Sequence, residues 1–289
     1  MSNYVLLTFS AVLLAANFSV TSLYQKSEGV SARAGFKFTA LVGLMTSLVF
    51  WMINGFAIKL SAFSLILAAS NAVLCMLYTV IGFRIMKKQG VALYTLFLMT
   101  GGMIVPYVWG LLALDEMFFL SRIIGLVFIT GAVVLSKWKN EKGNFKDIML
   151  CVTVFFINGL VSVISKLHSI ETEMYTVSEM EFVIMANFSN FVISGICCLF
   201  AKKETSPKEK INAKIILPII ILSALFGGGS YLMQLISAKS LPATVLYPFV
   251  TGGSIIFTTV AERIIYKEKI KTELLISVVL CFLGTLLFL

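Results

Sequence analysis

The 289-residue chain is 59% hydrophobic and only 13% charged, with a mean hydropathy of +0.97. Soluble globular chains carry about 45–50% apolar and about 25% charged residues, so the composition excludes a soluble enzyme, a disordered chain and a secreted disulfide scaffold. In a chain this apolar, the net charge of +9 sets orientation in a bilayer and attracts anionic lipid heads, and it calls for no nucleic acid.

Apolar stretches broken by charge predict ten membrane spans, over about 3–23, 34–54, 62–83, 91–113, 119–136, 147–166, 181–201, 214–238, 243–264 and 272–289. No basic residue precedes the first span, so a cleavable signal is not expected there. Of the 23 Lys and Arg residues, 19 fall in connections from odd to even spans. The even-to-odd connections hold only Lys59, Arg122, Lys166 and Lys239. Basic connections stay cytoplasmic. The expectation is a multi-pass protein of the cell (inner) membrane with both termini extracytoplasmic.

Chemistry that needs metal or acid–base clusters is not indicated. Cys75, Cys151, Cys197, Cys198 and Cys281 sit in apolar runs, and His168 is the single histidine. No metal site and no cofactor are expected. No carboxylate lies mid-span. Glu262 and Arg263 close the ninth span and read as structural, Lys37 is placed to snorkel, and Lys166 and Lys239 read as outer-end residues. Proton coupling through a deep acid is therefore not expected, and a substrate with a full unpaired charge is disfavoured.

An internal repeat organises the chain. Thr100-Gly101-Gly102 recurs as Thr251-Gly252-Gly253, and Ala92 pairs with Ala243 at the same offset of 151. Glu116 and Glu268 follow the two motifs, Gly131 matches Gly284, and Asn17 and Asn158 read as sitting at matching helix depths, 141 apart. The repeat unit is five helices, an odd number, so consecutive copies cross the membrane in opposite senses. The fold expected is all-α, ten transmembrane helices as two inverted five-helix repeats, 1–140 and 141–289, an architecture typical of transporters.

With these features the chain resembles the drug/metabolite transporter superfamily, EamA type. That family carries a short Gly-Glu-like element after the fourth helix of each repeat. Here the stretches read Asp115-Glu116 and Lys267-Glu268, without the glycine, and the family's proline in the fourth repeat helix looks matched by Pro248. The resemblance implies export of amino acids, drugs or other metabolites. Small multidrug resistance pumps, distant relatives, use a deep glutamate in the first helix, where this chain reads Ala15-Ala16-Asn17.

Polar side chains mid-span either bond neighbouring helices or line a water-filled cavity. The substrate-binding candidates are Asn17, Asn71, Tyr78, Trp109, Asn158, Tyr231, Gln234 and Tyr247. Amides donate and accept without a charge to desolvate, and aromatic faces give apolar contact of defined geometry. Gly101, Gly102 and Pro106 in the fourth span, with Pro248, Gly252 and Gly253 in the ninth, are candidates for helix breaks or gates. The function expected is secondary transport of a small neutral, zwitterionic or amphipathic metabolite, with the substrate between the halves. A lipid-linked head-group flippase on the same scaffold, or an intramembrane enzyme, are the alternatives. Expected partners are the small-molecule substrate and the lipid bilayer, for a monomer or homodimer.

Overall fold

The computed structural model describes residues 2–29, 31–89, 91–137, 145–201, 213–266 and 272–288. Over these it forms ten helices: α1 (Ser2–Glu28), α2 (Ala32–Ile53), α3 (Ala62–Gln89), α4 (Val91–Ala113), α5 (Leu120–Lys137), α6 (Phe145–Ile170), α7 (Glu179–Phe200), α8 (Ala213–Ala238), α9 (Ala243–Tyr266) and α10 (Thr272–Leu286). Eight are long and apolar enough to cross a membrane, while α5 and α10 are shorter apolar helices. The protein is an all-helical, multi-pass membrane protein. Its outward-facing side chains are large and apolar, Phe200 at 85% exposure and Leu199 and Leu112 at 80% among them. In water such a surface is a liability, but in hydrocarbon it is the solvated face.

The helices pack in a pattern that repeats when each is exchanged for the one five places along. α1 lies against α8 and α9 as α6 lies against α3 and α4, and α2 pairs with α7, α4 with α9 and α5 with α10. Glycines set the closest approaches, as expected where small residues let helix backbones meet. A methyl group at Gly43 of α2 would stand 2.7 Å from the Asn187 carbonyl oxygen of α7. Ser47, one turn on, donates to the Ile184 carbonyl at 3.2 Å. The α2 numbers rise as the α7 numbers fall, so the pair is antiparallel. In the same way Gly125 meets Phe288 and Ile129 meets Gly284, which makes α5 and α10 antiparallel.

Two expectations change. Gly101, Gly102 and Pro106 do not interrupt α4, nor do Pro248, Gly252 and Gly253 interrupt α9. The glycines serve contact instead: a side chain at Gly101 would run into the backbone of Phe155 on α6, and one at Gly253 into Ala11 on α1. Asn17 and Asn158 are also out of register. Gly102 faces Asn158, but its sequence counterpart Gly253 faces Ala11, while Asn17 faces Gly227 of α8. Ala11, nearly two turns before Asn17, therefore holds the place in α1 that Asn158 holds in α6. The side chains of Glu262 and Arg263, and residues Lys267 and Glu268, lie outside the described residues.

Candidate functional site

The site starts from a proline. Pro106 has no N–H to offer the carbonyl of Gly102 one turn earlier, which leaves that oxygen short of its helical donor. Gly102 also has no side chain, so α6 approaches closely enough to supply one. Ser162 Oγ donates to the Gly102 carbonyl at 3.2 Å, and Asn158 Nδ2 donates to the Leu98 carbonyl at 2.7 Å. Both bonds join residues 60 apart, so α4 and α6 run parallel here. The Leu98 and Gly102 carbonyls of α4 are thus bonded by Asn158 and Ser162 of α6 in one hydrogen-bonded unit, and this explains how α4 passes through Pro106 unbroken.

The next polar turn of α6 faces a cavity. Ser165 Oγ lies 2.9 Å from Tyr231 Oη of α8, and Asn71 Nδ2 of α3 reaches the same phenol at 3.4 Å. Tyr247 Oη of α9 donates to the Ser162 carbonyl at 2.5 Å. Gln234 Nε2 donates to Ser230 Oγ at 3.1 Å, and Ser230 Oγ is in turn 2.9 Å from Ser10 Oγ of α1. Between these side chains is a cavity of about 130 Å³ lined by Val161, Ser162, Ser165, Tyr231, Gln234, Leu235, Ala238 and Tyr247. Its wall is hydroxyls, one amide and two phenol rings set in aliphatic surface, the mixture expected of a small-molecule site.

The structure divides the eight candidate residues. Tyr231, Gln234 and Tyr247 line the cavity, Asn71 reaches it through Tyr231, and Asn158 sits one turn before Ser162. Tyr78 packs instead beside the cluster of Ile85, Tyr94, Cys151 and Val154. Asn17 lies against Gly227, with its carboxamide oxygen buried and unpartnered. Trp109, half-buried on α4, lines neither the cavity nor this hydrogen-bonded unit. The cavity wall comes from α6, α8 and α9, all in the second half of the chain, with the first half approaching through Asn71; a site shared evenly between the halves is not what the side chains form. Ser162 and Ser165, not among the eight candidates, line the same cavity.

The end of the bundle near the cavity is tied by charges. α9 begins after Pro242, whose side chain has no acceptor for the free amides of the first turn. Glu116 supplies both from another connection: Oε1 accepts from Ala243 N at 2.6 Å and Oε2 from Thr244 N at 2.8 Å. The residue that turns the chain there, Asp115, has φ of 48°, in the left-handed region that glycine adopts most easily and aspartate tolerates. Asp115 stands, in this left-handed conformation, at the position where the resemblance would place the glycine of the Gly-Glu-like element. Gly110 leaves room for the carboxylate, since a methyl group there would lie 2.8 Å from Glu116 Oε2. Nearby, Lys239 pairs with Glu179 at 2.5 Å, and Glu181 accepts from Lys59 N at 2.8 Å. Lys166, at this same end, is buried: it is 4% exposed, and its ammonium donates to the carbonyls of Ala238 at 2.5 Å and Leu241 at 2.7 Å.

A sequence profile of the EamA-like transporter family matches residues 145–289, the stretch from the start of α6 onward. No curated protein matches significantly. Among 28 matching solved chains, one described only as "Crystal structure of protein" superposes with a TM-score of 0.77 over 99% of this chain and 96% of that one, at 13% identity. At that identity the likeness extends to the fold.

Proposed function

Because the chain belongs to the EamA-like transporter family, within the drug/metabolite transporter superfamily, we propose that it moves a small neutral, zwitterionic or amphipathic metabolite across the cell membrane through the cavity between α6, α8 and α9. Alternating access between two inverted five-helix halves, 1–140 and 141–289, is the mechanism. The antiparallel pairing of α2 with α7 and of α5 with α10 supports that relation, as does a family match that begins at α6. Export is the direction the family resemblance implies. The lysine-rich end faces the cytoplasm, with both termini outside, following the basic asymmetry of the connections.

The observation that carries the reading is the cavity itself. Its volume, about 130 Å³, is close to that of an engineered protein void of about 150 Å³ that takes up one benzene. Its hydroxyls and amide give hydrogen bonds that an apolar void lacks. A solute of amino-acid size suits it better in this conformation than a lipid-linked head group does.

The test is solute counterflow in proteoliposomes, screening amino acids, aromatic metabolites and quaternary amines with and without proton or sodium gradients. Tyr231→Phe, Gln234→Ala and Tyr247→Phe each remove one hydrogen-bonding group, worth about 1–3 kcal/mol, or roughly 5–150-fold in affinity. Each is expected to raise the half-saturation constant by a factor in that range, and thermal unfolding is followed alongside because each group also bonds within the protein. Wild-type transport by all three variants would place the site elsewhere.

A further inference from the structure

In each half of the chain an aromatic ring of the first helix packs on one of the second, fourteen residues later. Tyr24 of α1 lies on Phe38 of α2 with ring centroids 4.4 Å apart. His168 of α6 stacks on Phe182 of α7 at 3.7 Å. Phe38 and Phe182 are 144 residues apart, the same separation as Gly43 and Asn187, where α2 meets α7. Because α2 and α7 are antiparallel, the two pairs lie on opposite sides of that meeting point. One is toward the lysine-rich end and the other toward the end near the cavity.

Each pair is covered by the third helix of the other half. Tyr24 and Phe38 pack with Ile216 and Ile219 of α8. His168 Nε2 is 3.1 Å from Ser64 Oγ of α3, which also accepts from Val177 N of the α6–α7 connection at 3.1 Å. Phe182 joins the cluster of Leu67 and Ala68 of α3. Tyr24 and His168 are 2% exposed and Phe182 is 0% exposed. His168 stands one turn past the cavity residue Ser165, near the end of α6. In the other direction a seam between α1 and α8 leads from the cavity side to Tyr24, through Ser10 on Ser230, Asn17 on Gly227 and Val20 with Ile219. Polar atoms on this seam are buried with no partner in the protein. They are Asn17 Oδ1, Ser223 Oγ one turn before Gly227, and Thr46 Oγ1 of α2, whose methyl group faces Gly228. His168 Nδ1 is buried and unpartnered in the same way. Such atoms are costly and rare in a packed interior, and parting of the helices gives them to water.

Resting on the transport reading of the cavity, we propose that Tyr24–Phe38 is its inner gate and His168–Phe182 its outer gate, both shut in this conformation. The inner gate opens as α1 and α2 part from α8, and the outer gate as α6 and α7 part from α3. The unpartnered polar atoms behind each gate lower the cost of opening, because water satisfies them once the helices separate.

The test reads the side from which the cavity is reached. Ser162→Cys, in the full chain with the five native cysteines replaced, is labelled with an impermeant thiol reagent applied to one face of the membrane at a time. The lysine-rich face is identified by Lys142→Cys on the same background. Tyr24→Ala and Phe38→Ala are expected to speed labelling from the lysine-rich face alone, and His168→Ala and Phe182→Ala from the opposite face alone. Each rise is expected to be roughly tenfold, because the reactive form is a minor state that gains population as the shut gate loses contacts. Tyr24→Leu and His168→Leu keep apolar volume in place of the ring, and serve should the alanine variants not fold; the same sidedness with a smaller rise is expected of them. Rings that only fill the core would lower the unfolding midpoint without changing the side of labelling. Unchanged labelling from both faces, an equal rise from both, or a rise from the wrong face would overturn the gate assignment. If wild type still performs solute counterflow, the transport reading survives that result. Failure of wild type to move any solute in the wider screen would remove the transport reading and this inference together.

Discussion

Gly101→Val is expected to be the most destabilising single substitution in the transmembrane core discussed here, lowering stability by about 3 kcal/mol or more. Overpacking typically costs 1–3 kcal/mol, and more where the surroundings cannot yield. The atoms a side chain would meet at Gly101 are the carbonyl oxygen, carbonyl carbon and Cα of Phe155, backbone that moves only if α6 moves. Separating α4 from α6 would also strain the bonds from Asn158 to Leu98 and from Ser162 to Gly102, so transport should fall with stability. Gly131→Ala is the control. Nothing lies within 4 Å of a methyl group there, and a surface change of this kind stays within about 0.5 kcal/mol or gains up to about 1 kcal/mol of helix propensity. Thermal unfolding of the two purified variants checks both outcomes; equal midpoints would show that the α4–α6 approach does not depend on glycine.

Glu116→Ala carries the second largest expected effect. It strips two charge-assisted bonds from the first turn of α9, and loss of a helix cap costs about 0.5–2 kcal/mol. Hydrogen bonds to charged groups contribute about 1.5–3 kcal/mol. A loss of about 2–3 kcal/mol is expected, seen as a lower unfolding midpoint, with Glu116→Gln intermediate because one carboxamide oxygen still accepts. If the alanine variant unfolds at the wild-type temperature, water serves the α9 amides as well as the carboxylate does.

The ten helices were legible because a bilayer imposes a length of apolar chain that composition reports directly. The ends were less so. α1 runs to Glu28 and α3 to Gln89, past the predicted ends at 23 and 83, since backbone hydrogen bonding continues in water after hydropathy has fallen. The helix breaks were misread at Gly101–Pro106 because the sequence does not show that Ser162 lies opposite the carbonyl that Pro106 leaves free. The burial of Lys166 was not legible for a similar reason: the sequence does not show that the carbonyls of Ala238 and Leu241 are brought over it. The pairing of Asn17 with Asn158 failed because equal distance from a helix start does not fix register against neighbours. Tyr231, Gln234 and Tyr247 come together at one cavity, since amides and phenols deep in apolar helices need partners and few places in hydrocarbon provide them.

Thiol accessibility at Ser162→Cys, with the five native cysteines replaced, tests the central claim that this cavity lies on the transport path. Lys142→Cys on the same background marks the lysine-rich face, which the proposed orientation places in the cytoplasm. The account predicts that an impermeant reagent labels Lys142→Cys from the cytoplasmic side alone. It further predicts that Ser162→Cys reacts and is protected by saturating amounts of a transported solute, but not by a solute that is not transported. Labelling of Ser162→Cys at the same rate with and without transported solute, or no labelling from either side of a protein that still transports, would contradict it.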